Sequence, residues 1–102
     1  MSQRHVPAVT VAEAAERPAG AVLLDVREDD EWAAAHAPDA VHIPMGRLTP
    51  DNLPEGRPVY CICRSGNRSA RVVDVLTAAG IDARNVVGGM HAWVAAGLPV
   101  AG

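Results

Sequence analysis

Between Val59 and Gly80 the chain changes character twice within twenty-two residues. Val59-Tyr60-Cys61-Ile62-Cys63 is an unbroken run rich in β-formers, which suits a central strand covered on both faces. From Ala70 the pattern becomes helical, with Val72, Val73, Leu76 and Ala79 on one side, and Gly80 stands where a helix C-terminus favours glycine. Between the two lies Arg64-Ser65-Gly66-Asn67-Arg68-Ser69, a loop of turn formers. The chain is thereby committed to strand, tight loop and helix, with the Cys63 thiol where the loop opens onto a helix N-terminus. Backbone N–H groups and the helix dipole favour an anion there. With Arg64 and Arg68 flanking it, the thiol is expected to ionise below the roughly 8.5 of free cysteine, toward the 3.5 to 7.5 range of activated cysteines.

The 102 residues are one domain's worth of chain, and 49% hydrophobic residues supply one core, so a single domain over 1–102 is expected. With two Trp, one Tyr and no Phe, that core is filled by Val, Leu, Ile and Ala, as in parallel-sheet α/β proteins. A net charge of −3 gives no basic face for nucleic acid. The absence of lysine excludes a Walker-type phosphate loop. Met1 to Pro7 has no apolar leader segment and no stretch reaches membrane-spanning length, so a cytoplasmic protein without membrane contact is expected. Cys61 and Cys63 are too close along an extended strand to form an unstrained disulfide, and a lone Cys-x-Cys is not a zinc spacing. Neither metal nor cofactor is expected.

Taken in order, Val6 to Val9 with Pro7 reads as an edge strand, and Thr10 with Glu13 forms a capping box for a helix from Val11 to about Glu16. Pro18 and Gly20 end it. Ala21 to Val26 reads as a buried strand, Glu31 to His36 as a short helix, and Val41 to Pro44 as a third strand near an edge. Met45 to Arg57 is a connection with one helical turn near Gly46 to Leu48. After the central unit, Asn85-Val86-Val87 is the last strand, Gly88-Gly89 a turn and Met90 to Ala96 a closing helix stopped by Gly97. Alternating strands and helices imply right-handed parallel crossovers, with ligands at the carboxyl ends of strands.

Four ordered segments resemble the rhodanese family of thiosulfate sulfurtransferases and single-domain persulfide carriers. These are Leu24-Asp25-Val26-Arg27-Glu28; Glu31-Trp32 through His36 to Ile43-Pro44; the loop Cys63 to Ser69; and Gly88-Gly89 through Trp93 to Gly97-Leu98-Pro99-Val100. Ala35, Ala37 and Asp39 depart from the family's usual glycine, isoleucine and glycine. The resemblance implies a three-layer fold, a parallel sheet of about five strands with helices on both faces. It also implies a Cys63 persulfide that carries sulfur from thiosulfate or a similar small donor to a thiol, a protein or a cyanide-type acceptor.

Within that reading Cys63 is the nucleophile and Arg64, Ser65, Gly66, Asn67, Arg68 and Ser69 form the anion nest, Arg68 being the expected brace. Cys61 is expected to pack in the core on the same face as Cys63. Asp25 and Arg27 are expected to be a supporting ion pair, and Trp32 and Trp93 packing residues. His36 and His42 are expected to be ordinary, leaving His91 as the one histidine able to reach the mouth of the site. Displacement at sulfur needs a thiolate and a stabilised leaving anion but no general base. Two other readings compete: a non-catalytic or persulfide-carrying interaction module, and a small cysteine phosphatase. Only four residues separate Cys63 from Arg68, one fewer than in phosphatases of related fold.

Overall fold

The computed structural model describes residues 6–102. Met1–His5, on which part of the N-terminal reading rests, lie outside the described residues. Five parallel strands form one sheet: β1 (Ala8–Val9), β2 (Val22–Asp25), β3 (Val41–His42), β4 (Val59–Ile62) and β5 (Ala83–Val86). Their spatial order is β1-β5-β4-β2-β3, so β4 is central and the two shortest strands are the edges. Four helices alternate with them: α1 (Val11–Ala15), α2 (Asp29–Ala34), α3 (Asn67–Ala78) and α4 (Gly89–Ala95). The expected α/β architecture is present, and β1 and β3 occupy the expected edges.

Alternation along β4 builds the two faces. Val59, Cys61 and Cys63 project into a cluster with Val72, Val73 and Leu76 of α3. Tyr60 and Ile62 project the other way, toward Ala14 of α1 and Met90 and Trp93 of α4. Leu23 and Leu24 of β2 divide likewise between the two cores. A strand buried on both faces cannot afford polar residues at either parity, which is why the sequence shows a continuous apolar run there.

The capping box of α1 forms as expected, Thr10 N donating to Glu13 Oε1 at 2.9 Å and Glu13 N to Thr10 Oγ1 at 3.1 Å. α3 closes with Gly80 in the left-handed region at φ +85°, where Gly80 N donates to Thr77 O and Ile81 N to Leu76 O, both at 3.0 Å. The turn near Gly46 is a 3-10 turn over Met45–Arg47. Among the described residues no helix is long and apolar enough to cross a membrane.

Several boundaries differ from expectation, β1 opening at Ala8 instead of Val6 and β3 closing at His42 instead of Pro44. α2 runs over Asp29–Ala34 instead of Glu31 to His36, because Glu31 reaches back to accept from Glu28 N at 3.1 Å and three acidic residues occupy the first turn, where the dipole favours them. The chain is extended at Ala35, and His36 pairs with Ala101. β5 begins two residues before Asn85, since its register with β4 reaches back to Ala83 opposite Val59. Val87 lies beyond that strand, its N–H still bonded to Val9 O but its side chain exposed. Ala79 is exposed, because α3 has ended before it and the chain is already turning at Gly80.

Candidate active site

β4 ends at Ile62, and Cys63 follows at the carboxyl edge of the sheet, 1% exposed. The chain then turns through Gly66, whose φ of +103° is open to glycine without strain, and enters α3 at Asn67. This turn folds the loop back over the sulfur. Gly66 N donates to Cys63 Sγ at 3.1 Å and Ser69 N at 3.4 Å, and Ser69 Oγ lies 3.2 Å from the same atom. Gly89 holds the loop from above: a Cβ there would come within 2.8 Å of the Arg64 carbonyl, so only glycine permits the close approach of α4. That approach is fixed by Met90 N donating to Cys63 O at 2.8 Å and His91 N to Arg64 O at 3.0 Å.

Burial raises the Cys63 pKa, but the Ser69 hydroxyl and the amides of Ser69, Gly66 and Ser65 outweigh it, and the net displacement is downward. The direction agrees with the sequence reading, whereas the cause differs. Hydrogen bonds from Ser69, Gly66 and Ser65 are the main causes that lower it, in place of the arginines expected to do so. Arg68 donates to both carboxylate oxygens of Glu31, at 2.7 and 2.8 Å, and that pairing is the main reason its own pKa rises, with the Cys63 charge a lesser contributor. Arg68 is therefore a brace between α3 and α2. Arg64 is exposed and places Nε 3.1 Å from Nε2 of His91.

Asp25 and Arg27 form the supporting pair in full burial: Nη2 to Oδ2 at 2.8 Å, Nε to Oδ1 at 3.0 Å, and a further bond from Arg27 Nη2 to Ala35 O at 2.7 Å. Geometry this complete is what makes a buried ion pair tolerable. An open cleft of about 540 Å³ adjoins the loop, lined by Arg27, Glu31, Arg64, Met90 and His91 among others. His91 thus reaches the mouth from the first turn of α4. Trp93 is buried, as expected, and Trp32 stacks on His36 and His42 with centroids 3.6 and 4.7 Å apart. Cys61 is fully buried in the same cluster as Cys63, and burial, reinforced by the Cys63 charge, pushes its pKa up to about 12. Ser65 and Asn67 are exposed on the outside of the loop.

Two residues given no site role in the sequence reading matter here. Glu31 anchors Arg68. Asn85 on β5 lies beside Cys61 in the register and bonds Ser69 Oγ through Oδ1 at 2.6 Å and Gly66 O through Nδ2 at 3.2 Å. A polar residue in a strand otherwise buried was the available signal.

The class defined here is a parallel α/β domain with a hydrogen-bonded thiol in the loop beyond its central strand. Residues 10–96 match the model of the rhodanese-like domain, and the chain belongs to that family. It is 37% identical over 83 residues to a sulfurtransferase of Allochromatium vinosum, a match covering 78% of this chain and 77% of that protein. It is 41% identical over 81 residues to uncharacterized protein slr1261 of Synechocystis, covering 76% of this chain and 45% of the relative, so it spans under half of that protein's length. The crystal structure of a rhodanese-related protein from Thermoplasma volcanium superposes with a TM-score of 0.84 at 30% identity, covering 93% of this chain and 97% of that one.

Proposed function

We propose that this domain is a sulfurtransferase in which the Cys63 thiolate takes the outer sulfur of thiosulfate, or a donor of that kind, and passes it to a thiol, a protein or a cyanide-type acceptor. The lone pair of Sγ forms the new S–S bond as the donor's S–S bond breaks, its electron pair leaving with sulfite. An acceptor nucleophile then attacks the terminal sulfur and returns the pair to Sγ. Ser65, Gly66 and Ser69 stabilise sulfur anions, Arg64 and His91 meet substrates at the cleft mouth, and Arg68 holds the loop's shape.

The observation that supports this reading most is the convergence on one sulfur of the Gly66 amide from the four-residue loop between Cys63 and Arg68 and of the Ser69 amide and hydroxyl from the first turn of α3. A nest of that size suits one extra sulfur atom better than a tetrahedral phosphate. Both thiols are free, which suits a reducing compartment such as the cytoplasm. The test is steady-state turnover of thiosulfate with cyanide or a dithiol beside hydrolysis of an aryl phosphate. Thiosulfate turnover lost in Cys63→Ser, with no phosphate hydrolysis, is expected. Phosphate hydrolysis that depends on Cys63 would replace the reading with a phosphatase, and sulfur uptake without turnover would make the domain a carrier.

A further inference from the structure

The hydroxyl of Ser69 has one proton and two partners. Its oxygen lies 3.2 Å from Cys63 Sγ and 2.6 Å from Asn85 Oδ1. The orientation of the Asn85 amide is not free, because the Gly66 carbonyl, 3.2 Å from Nδ2, can only accept, so the nitrogen must face it and the oxygen must face Ser69. Oδ1 also only accepts. The Ser69 proton therefore serves either the sulfur or the amide oxygen. All three side chains are buried, at 0% exposure for Ser69, 1% for Cys63 and 8% for Asn85, so the partner that loses the proton gains little from water in exchange.

We propose that the Ser69 hydroxyl is a one-proton switch, and that Asn85 is the positioning residue that holds it whenever Cys63 Sγ carries no charge. With Cys63 protonated, the S–H donates to Ser69 Oγ and the Ser69 O–H donates to Asn85, and every group is satisfied. When the thiol ionises, the S–H bond breaks, its proton leaves to solvent and the electron pair stays on Sγ. The Ser69 O–H then turns from Oδ1 to the thiolate. The remaining states rest on the sulfur-transfer reading above. Attack on the donor moves the negative charge from Sγ to the terminal sulfur of the persulfide, and the hydroxyl returns to Asn85. Attack by the acceptor restores charge to Sγ, and the hydroxyl swings back to stabilise the departing thiolate.

Asn85 thereby has two opposing actions. As a competing acceptor it favours the neutral thiol; as a donor to Gly66 O it braces the loop whose amides favour the thiolate. The switch requires the first to dominate. The titratable groups on the elements packed around the thiol are Tyr60 and Cys61 on β4, Asp25 at the end of β2 and Arg27 beyond it, Arg64 in the loop, Arg68, Arg71 and Asp74 of α3 with Glu31 of α2, Arg84 of β5 and His91 of α4. The variants below leave all of them in place.

The test is the pH midpoint of Cys63 alkylation by iodoacetamide, read by peptide mass, in wild type, Asn85→Leu, Asn85→Ala, Ser69→Ala and the Asn85→Leu/Ser69→Ala double variant. Removing the competing acceptor is expected to lower the midpoint by about half to one pH unit in each Asn85 variant. Ser69→Ala is expected to raise it, and adding Asn85→Leu to Ser69→Ala to give no fall, because Asn85 then has no proton to compete for and the lost brace on Gly66 O acts only upward. An unchanged or raised midpoint in the Asn85 variants, or the same fall without Ser69, overturns the switch. In the wild type, which needs no substitution, the Asn85 side-chain carbonyl carbon resonance should titrate with the Cys63 midpoint; a flat signal there also overturns it. Failure of wild-type Cys63 to retain sulfur from thiosulfate would end the transfer reading while leaving these midpoints untouched, so the two failures are told apart.

Discussion

Cys61 and Cys63 share a strand direction and a face of the sheet, yet their surroundings drive them apart. Burial leaves Cys61 a neutral thiol at any physiological pH, with its pKa pushed up to about 12, whereas the loop bonds pull Cys63 downward against the same burial. Cys61→Ala should therefore keep sulfur transfer within a few-fold of wild type and cost about 1–3 kcal/mol of stability through the lost packing, measured by activity assay and chemical denaturation. Loss of transfer in a folded Cys61→Ala protein would mean that the second thiol takes part. The difference between the cysteines was legible in the sequence, because one lies inside a β run and the other at its junction with a turn. The partners of Ser69 and Arg68 were not. Asn85 is 16 residues from Ser69 and Glu31 is 37 from Arg68, and no local pattern reports contacts made only when strands are set side by side.

Elements meet at the site through few but directional contacts, and the α2–α3 staple is the clearest. Glu31 accepts two bonds from Arg68 and one from the Glu28 amide, and the Arg68 guanidinium above all holds its pKa at about 2, against an ordinary 4.5. A carboxylate depressed in the folded state stabilises the fold above its unfolded pKa and loses that contribution as pH falls through the folded one. Glu31→Gln should accordingly be less stable than wild type at pH 7, by on the order of 1 kcal/mol for this partly exposed pair. The gap should narrow between about pH 4.5 and 2 in thermal melts. A gap constant down to pH 2 would assign the loss to packing instead of charge. The start of α2 is hidden in the sequence for a related reason: Glu28 is not among the usual capping residues, and only its contact with Glu31 in space marks the opening of the helix at Asp29. The Thr10 box, made of residues with strong local preferences, is legible in the sequence alone.

The molecule as a whole is a sheet sealed on both faces, with the Cys63 loop at its carboxyl edge. Leu23 and Leu24 are adjacent in sequence but enter opposite cores, at 1% and 0% exposure. Each truncation to Ala should cost about 2–5 kcal/mol in denaturant unfolding; a near-neutral result at either would mean one face is not covered. The layered fold was readable from alternation and from the apolar run of β4, since both follow directly from what a two-sided parallel sheet must bury. The proposed function rests on the Cys63 sulfur at the sheet's carboxyl edge. That claim is met most directly by intact-mass analysis of the protein after incubation with thiosulfate and removal of excess donor. Wild type and Cys61→Ala should each gain the mass of one sulfur atom, released on adding a thiol acceptor, and Cys63→Ser should gain none. Wild-type protein whose mass is unchanged, or a sulfur retained equally without Cys63, would contradict the account.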